Sequence, residues 1–199
     1  ATTASSQNAQ PEGDFTVDIN EVRHTATDFW EKNGRMISLV GGGLALVLGA
    51  YFGYKYLYQA PKQKEAVIAM SGAQLLFERD SFQKALDPAL DGAPGFLGII
   101  DDFGGTPAGN MAKYYAGVCY LQTGQVDKAI DYLGDYSAEG SVMGIMKNGA
   151  LADAYGDKGD FASAIDHYKK AISAGKNDVL TPLYMKRLGQ LYEHQNQPA

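Results

Sequence analysis

The side chains best suited to chemistry are few and scattered along the chain. The three histidines, His24, His167 and His194, lie in different segments, and none shows a metal-ligand spacing such as HExxH. Cys119 is the sole cysteine and lies in an apolar helical pattern, where a small buried core residue is expected instead of a nucleophile. The sequence therefore predicts no metal site and allows no disulfide within the chain.

Two further segments contain residue types that occur in catalytic sites. Asp101 and Asp102 are adjacent, so on a helix they point about 100° apart and do not converge as an acid and base pair. The glycine-rich insertion between Gly92 and Asn110 lacks the GxxxxGK[ST] phosphate-binding pattern, and a short helix is expected there from Pro94 to Phe103. We predict a non-enzyme with no catalytic residue, no cofactor and no small-molecule substrate. A catalytic domain that uses an unrecognised constellation is the alternative.

Charge and hydropathy point to a membrane instead of a nucleic acid. The formal net charge is −6 with acids and bases interspersed, so no phosphate-binding face stands out. Residues 36–54 are a run of 19 residues without a charge. As a helix at ~1.5 Å per residue, this run would be about 28 Å long, which is close to the ~30 Å thickness of the hydrocarbon core. Aromatic residues flank this run at both ends: Trp30 before it, and Tyr51, Tyr54, Tyr56 and Tyr58 at its end. We predict a transmembrane helix over residues 36–58, in contact with membrane lipid.

Alternatives to this helix are a cleaved signal peptide and a buried soluble helix. Tyr58-Gln59-Ala60 lacks a small residue at the first cleavage position, and the glycine content is tolerated better in lipid than in water. Basic residues on the two sides of the helix balance, so charge alone leaves its orientation open. Small residues four apart form a ridge on which another membrane helix could dock: Gly41, Ala45, Gly49 and Gly53.

The segment before the transmembrane helix divides into two parts. Residues 1–14 are polar and are predicted to be a disordered tail. Residues 15–35 carry apolar side chains at helical spacing and are predicted to form an amphipathic juxtamembrane helix, with a break at Asn33-Gly34. A simple extension of the transmembrane helix is the alternative.

Residues 59–199 contain an internal repeat. The segment that begins at Tyr114 superimposes without a gap on the segment that begins at Gly149, 35 residues later. Four matched pairs define it: Tyr120 and Tyr155, Gly124 and Gly159, Ala129 and Ala164, Ile130 and Ile165. Small residues (Gly117, Ala152) would let paired helices approach, while large ones (Leu133, Tyr168) would fill the flanking gaps.

This pattern resembles the tetratricopeptide-repeat (TPR) family and predicts an all-α chain, a TPR-type α-solenoid after one transmembrane helix. Phe82 and Ala85 resemble the end of an earlier repeat, whereas Leu188, Gly189 and Tyr192 resemble a solitary last helix that caps the array. The resemblance implies a protein-binding groove on the first helices of each pair. The groove would be lined by Tyr114, Val118, Leu121, Gly149, Asp153 and Gly156, with an acidic rim from Asp153 and Asp157.

The order of segments along the chain resembles one particular family of TPR proteins. An aromatic and Asn-Gly-Arg motif (Phe29, Trp30, Asn33, Gly34, Arg35), a glycine-rich helix and degenerate repeats are similar to the YfgM family of bacterial membrane-anchored TPR proteins. That resemblance implies an ancillary subunit of the SecYEG translocon in the inner membrane, with a cytoplasmic N-terminus and a periplasmic TPR domain. It also implies a PpiD-like periplasmic chaperone as partner. A scaffold of another envelope secretion or assembly complex and a homo-oligomeric membrane spacer are the alternatives.

Overall fold

The computed structural model describes residues 19–87 and 93–195, in which all regular secondary structure is helical. The chain divides into two units, Ala1–Phe52 and Gly53–Ala199. The tail predicted at residues 1–14 lies outside the described residues. The described part of the first unit forms one helix, α1 (Ile19–Gly53).

Helix α1 exposes its apolar side chains instead of burying them. Leu39, Val40 and Leu46 are 72%, 67% and 77% exposed, respectively. The helical stretch Phe29–Glu78 contains an 18-residue window with mean hydropathy 1.8, and none of that window is buried. Since exposed leucine and valine are unfavourable in water, the stretch has the character of a lipid-facing helix. It is long and apolar enough to cross a membrane.

The break expected at Asn33-Gly34 is absent. Helix α1 runs through both residues, and the Asn33 side-chain amide donates to the Phe29 carbonyl oxygen at 3.2 Å. A glycine inside a helix costs only about 1 kcal/mol, too little to end a long helix. The turn interpretation of Asn33-Gly34 was therefore wrong. Whether residues 15–35 lie on a membrane surface stays a prediction.

The second unit opens with a π-helical turn and continues as a series of packed helices. The turn is Tyr54–Gln59, and it is followed by α2 (Ala60–Glu78) and the short α3 (Phe82–Leu86). The remaining helices are α4 (Phe96–Phe103), α5 (Pro107–Gln122), α6 (Val126–Asp135), α7 (Gly140–Lys158), α8 (Phe161–Ser173) and α9 (Leu180–His194). Helix α5 packs on α6, α7 packs on both α6 and α8, and α9 packs on α8. The predicted all-α array of helix pairs is confirmed.

Small residues set the distance between paired helices, as the repeat pattern predicts. A Cβ atom added to Gly117 of α5 would lie 2.6 Å from the Leu133 Cγ atom of α6. Cys119, two residues further along α5, is also fully buried, and this burial raises the pKa of its thiol to about 12. A thiol with so high a pKa is neutral at physiological pH and is a core residue, as expected.

The degenerate ends of the array also adopt the predicted helices. Ala85, assigned to an earlier repeat, is fully buried in α3. The insertion forms α4, which begins two residues after Pro94 and ends at Phe103, where Gly104 follows. At the other end, an added Cβ at Gly189 of α9 would meet nothing within 4 Å. Among the described residues, the small position of α9 is therefore not a close contact between helices.

A left-handed glycine ends each first helix of the central pair. Gly124 and Gly159 have φ angles of 74° and 82°, and the Gly159 N–H donates to the Gly156 carbonyl oxygen at 3.0 Å. We expect Gly159→Ala to lower the free energy of unfolding by about 1 kcal/mol, since a side chain disfavours this backbone region. Gly189→Ala, inside α9 and free of contacts, is the control and should be neutral or stabilising by up to about 1 kcal/mol. Urea unfolding of the detergent-solubilised chain, followed by circular dichroism, measures both. Equal effects of the two variants would contradict the assignment.

Candidate protein-binding surface

Two of the residues predicted to line the groove are core residues. Tyr114 is 9% exposed and packs against Leu133 and Tyr136, with 5.5 Å between the ring centroids of the two tyrosines. Gly149 is also buried, and a Cβ added there would lie 1.9 Å from the Tyr184 Cζ atom. Neither residue can line an open groove, so their prediction is corrected. The physical reason is that α6 and α9 cover these positions.

Two other predicted groove residues lie at the margin of the core. Val118 and Leu121, both on α5, are half-buried and pack against the edges of two different hydrophobic clusters. They present part of their apolar surface to solvent. Their role in partner binding stays a prediction, but their position next to solvent permits it.

Asp153 is the centre of a polar network on α7. Its carboxylate accepts a hydrogen bond from the Tyr168 hydroxyl at 2.6 Å and forms an ion pair with the Arg187 guanidinium. Burial, together with this hydrogen bond, raises the pKa of Tyr168. The Arg187 guanidinium also lies over the Tyr184 ring, 5.7 Å from its centroid. The network joins α7, α8 and α9 at one place.

This pairing corrects the predicted acidic rim. Arg187 compensates the charge of Asp153, whose side chain is 26% exposed. Of the two carboxylates expected at the rim, only Asp157 is well exposed. A strongly basic partner is therefore not required by this surface. Apolar and hydrogen-bonding groups dominate its chemistry instead.

An open cleft of about 300 Å³ lies beside the network, between α7, α8 and α9. Gly156 lines it on α7, and two other lining residues, Phe161 and His194, contact each other with 5.5 Å between their ring centroids. Its lining mixes aliphatic, aromatic and polar groups: Gly156, Phe161, Tyr168, Arg187, Gln190, Leu191 and His194. Such a mixture suits an apolar anchor residue of a polypeptide, flanked by hydrogen bonds from its backbone.

The structure thus brings Asp153 and Gly156 together with residues of α9 that the sequence analysis missed. One signal could have found Gln190, because it follows Gly189 just as Val118 and Asp153 follow Gly117 and Ala152. No periodic signal identifies Arg187. It reaches Asp153 because α9 packs on both α7 and α8.

The small-residue ridge of α1 lies on an exposed surface. An added Cβ at Gly41, Gly49 or Gly53 would meet nothing within 4 Å, and Ala45 is exposed. The ridge is open to another helix, and its docking role stays a prediction.

Possible metal ligands in the described ranges do not cluster. No group of three or more His, Cys, Asp or Glu side chains is placed to hold a metal ion in these ranges. His167 stacks on Tyr155 with 5.3 Å between ring centroids and shares a 3.1 Å hydrogen bond with the Asn148 side-chain oxygen. Burial lowers the pKa of His167, with Lys170 adding to the effect.

Comparison with known proteins agrees with the helix pairing. A family profile described as "Tetratricopeptide repeat" matches residues 83–140 and 150–199, together more than half of the chain. No curated protein and no solved structure matches the chain. The two matched ranges include α5, α6, α8, α9 and the second half of α7, together with the residues that line the cleft. The chain therefore belongs to the tetratricopeptide-repeat family.

Proposed function

We propose that this protein is a membrane-anchored accessory subunit of the Sec translocon, which uses its TPR cleft to hold a periplasmic chaperone for exported proteins. The family is a protein-interaction fold, and its stacked helices give an extended surface that recognises polypeptides by shape. The translocon role rests on the resemblance to the YfgM family. The apolar helix α1 and the order of parts support it.

The observation that carries the proposal is the open cleft beside the Asp153 network. Two of the residues that line it, Tyr168 and Arg187, are both held by Asp153. Its walls, including Leu191 and Phe161, are apolar, while Gln190 and His194 offer hydrogen bonds. A pre-organised mixed cleft lowers the entropic cost of binding a peptide or helix.

The membrane part of the proposal rests on α1. Residues 36–58 would span the inner membrane, with the N-terminus in the cytoplasm and the TPR domain in the periplasm. The ridge Gly41, Ala45, Gly49 and Gly53 would pack against a helix of the SecYEG complex. Small side chains favour this contact because they let helix backbones approach closely in lipid.

Site-specific photocrosslinking in native membranes tests the partner assignment. A photoreactive phenylalanine at Gln190 or His194, at the mouth of the cleft, should crosslink to a PpiD-like chaperone or an exported polypeptide. The same group at Asp131, exposed on α6 and away from the cleft, is the matched control and should give at most a tenth of the product.

Three outcomes would contradict the proposal. Equal crosslinking from Gln190 and Asp131 would remove the cleft from the binding surface. Attachment only to subunits of another envelope complex would replace the translocon role with a scaffold role. Attachment only to a second copy of this chain would indicate a homo-oligomeric spacer.

A further inference from the structure

A second cleft, of about 150 Å³, lies where the long apolar run of the sequence ends. One wall comes from the π-helical turn and the start of α2, with Tyr54, Tyr58 and Lys62. The opposite wall comes from the end of α4 and the following loop, with Asp102, Gly105 and Thr106. A water molecule needs only roughly 10–15 Å³ by the same measure, so this cleft accommodates a small polar group. An acyl chain is too long for it.

Specific hydrogen bonds hold the two walls together. The Gln59 side-chain amide donates to the Gly105 carbonyl oxygen at 3.1 Å, and the Gln63 side-chain oxygen accepts from the Ala108 N–H at 3.0 Å. Thr106 caps α5 by accepting a 3.0 Å hydrogen bond from the Gly109 N–H. The cleft is therefore a built feature of the second unit. π-helical turns, such as the one that supplies Tyr54 and Tyr58, occur frequently at functional sites.

The two walls carry opposite charges. The Lys62 ammonium lies 5.0 Å from the centroid of the Tyr58 ring, which itself stacks on Tyr54 at 5.5 Å. A hydrogen bond that the Lys62 ammonium donates to the Tyr58 side chain raises the pKa of Lys62, so this residue stays a cation throughout the physiological range. Asp102 supplies a solvent-exposed carboxylate on the opposite wall. A ligand with one anionic and one cationic group matches this arrangement.

The position of the cleft in the chain indicates where such a ligand comes from. Tyr54 is the last residue of the uncharged run, and Lys55 is the first charge after it. The α-helical rise of ~1.5 Å per residue is an upper value for the π-helical turn, so Tyr58 lies at most about 6 Å and Lys62 at most about 12 Å beyond Tyr54 along the helix. The headgroup layer extends roughly 5–7 Å beyond the hydrocarbon core on each side, and a lysine side chain reaches back toward it. Tyr58 and the Lys62 ammonium would then lie among lipid headgroups.

We propose that this cleft binds the headgroup of an aminophospholipid, with Lys62 and the tyrosine hydroxyls on its phosphate and Asp102 on its primary ammonium. The inference rests on the proposed membrane anchorage, and it adds a specific lipid site. Asp102 disfavours a purely anionic headgroup, because like charges repel at short range. A choline headgroup fits less well, since its quaternary ammonium has no N–H to donate to a carboxylate.

Native mass spectrometry of the full chain in mild detergent tests the site. Phosphatidylethanolamine, phosphatidylglycerol and phosphatidylcholine with identical acyl chains are added separately at equal concentration. We expect the natural chain to retain phosphatidylethanolamine about tenfold better than the other two, the difference that one charge-assisted hydrogen bond can give. Equal or better retention of phosphatidylglycerol would overturn the inference, because it would reduce the site to simple attraction by a lysine.

The chain offers two matched controls. Lys62→Ala should lower retention of phosphatidylethanolamine about tenfold, whereas Lys64→Ala, an exposed lysine two residues away and outside the cleft, should not. Asp102→Asn should abolish the preference over phosphatidylcholine, whereas the neighbouring Asp101→Asn should preserve it. Equal effects within either pair would overturn the site. Circular dichroism of each variant confirms that the helices are retained.

Two further measurements are needed. One distinguishes a lipid from a soluble ligand, and the other distinguishes failure of the lipid site from failure of the membrane anchorage. Free phosphorylethanolamine at the lipid concentration should not displace the lipid, and complete displacement would mean that a soluble phosphate ester is the ligand. Alkaline carbonate extraction of membranes reports anchorage by itself. A chain that resists extraction but shows no headgroup preference overturns only the lipid site. A chain that carbonate releases overturns the anchorage as well.

Discussion

Gly149→Ala is expected to lower the free energy of unfolding by about 3 kcal/mol, at the upper end of typical overpacking costs. The new Cβ atom would lie 1.9 Å from the Tyr184 Cζ atom and 2.3 Å from its hydroxyl oxygen. Tyr184 is only 8% exposed and is packed in the cluster that joins α7, α8 and α9, so its ring has little room to move. Helix α9 must shift away from α7 to relieve the overlap. Urea unfolding followed by circular dichroism measures the loss.

Gly156→Ala is the matched control, since it lies on the same helix and an added Cβ there meets nothing within 4 Å. We expect it to be neutral or to stabilise by up to about 1 kcal/mol through better helix propensity. Tyr184→Leu, which removes the ring, should make Gly149→Ala less costly than it is in the natural background. Additive effects of the two changes, or a harmless Gly149→Ala, would contradict the close approach of α9.

The helix pairs could be predicted because their signals are local and repeated. The glycines at 124 and 159 recur 35 residues apart, and both adopt the left-handed backbone that their position after a helix predicts. Gly117 lies against Leu133, which is the small and large pairing inferred from the repeat. A periodic pattern records such contacts within a pair, because each repeat makes the same ones.

The protein-binding surface was predicted less accurately than the helix pairs, because it depends on how helices of different sequence pack on one another. Tyr114 and Gly149 occupy equivalent positions of the repeat, and both were assigned to the groove. Tyr136 covers the first residue, and Tyr184 of the solitary helix α9 covers the second. Tyr184 lies one 35-residue period after Gly149, but the period does not predict that its ring fills the space beside that glycine, and it does not predict the contact of Tyr136 with Tyr114. The break predicted at Asn33-Gly34 was wrong for a different reason. Turn propensity is a weak local preference, and the long apolar helix overrides it.

The Asp153 network holds two residues that line the binding cleft, Tyr168 and Arg187. We therefore expect a substitution of Asp153 to lower both stability and partner binding. Asp153→Ala would leave Arg187, whose side chain is 40% exposed, without its carboxylate, and would also remove the acceptor of the Tyr168 hydroxyl. Hydrogen bonds to charged groups contribute about 1.5–3 kcal/mol each when they are partly buried. We expect Asp153→Ala to lower the free energy of unfolding by about 2 kcal/mol and to weaken crosslinking from Gln190 at least fivefold.

The surface pair of Asp166 and Lys170 provides the comparison, because it has the same charges one helix away. Its side chains are 59% and 55% exposed, so solvent screens the pair and Asp166→Ala should leave the free energy of unfolding nearly unchanged. Tyr168→Phe removes only the hydroxyl and should cost about 1 kcal/mol. If Asp153→Ala is no more costly than Asp166→Ala, the network does not hold α9 in place. Partner capture would then have to depend on α5, where Val118 and Leu121 are the remaining partly exposed apolar residues of the predicted groove.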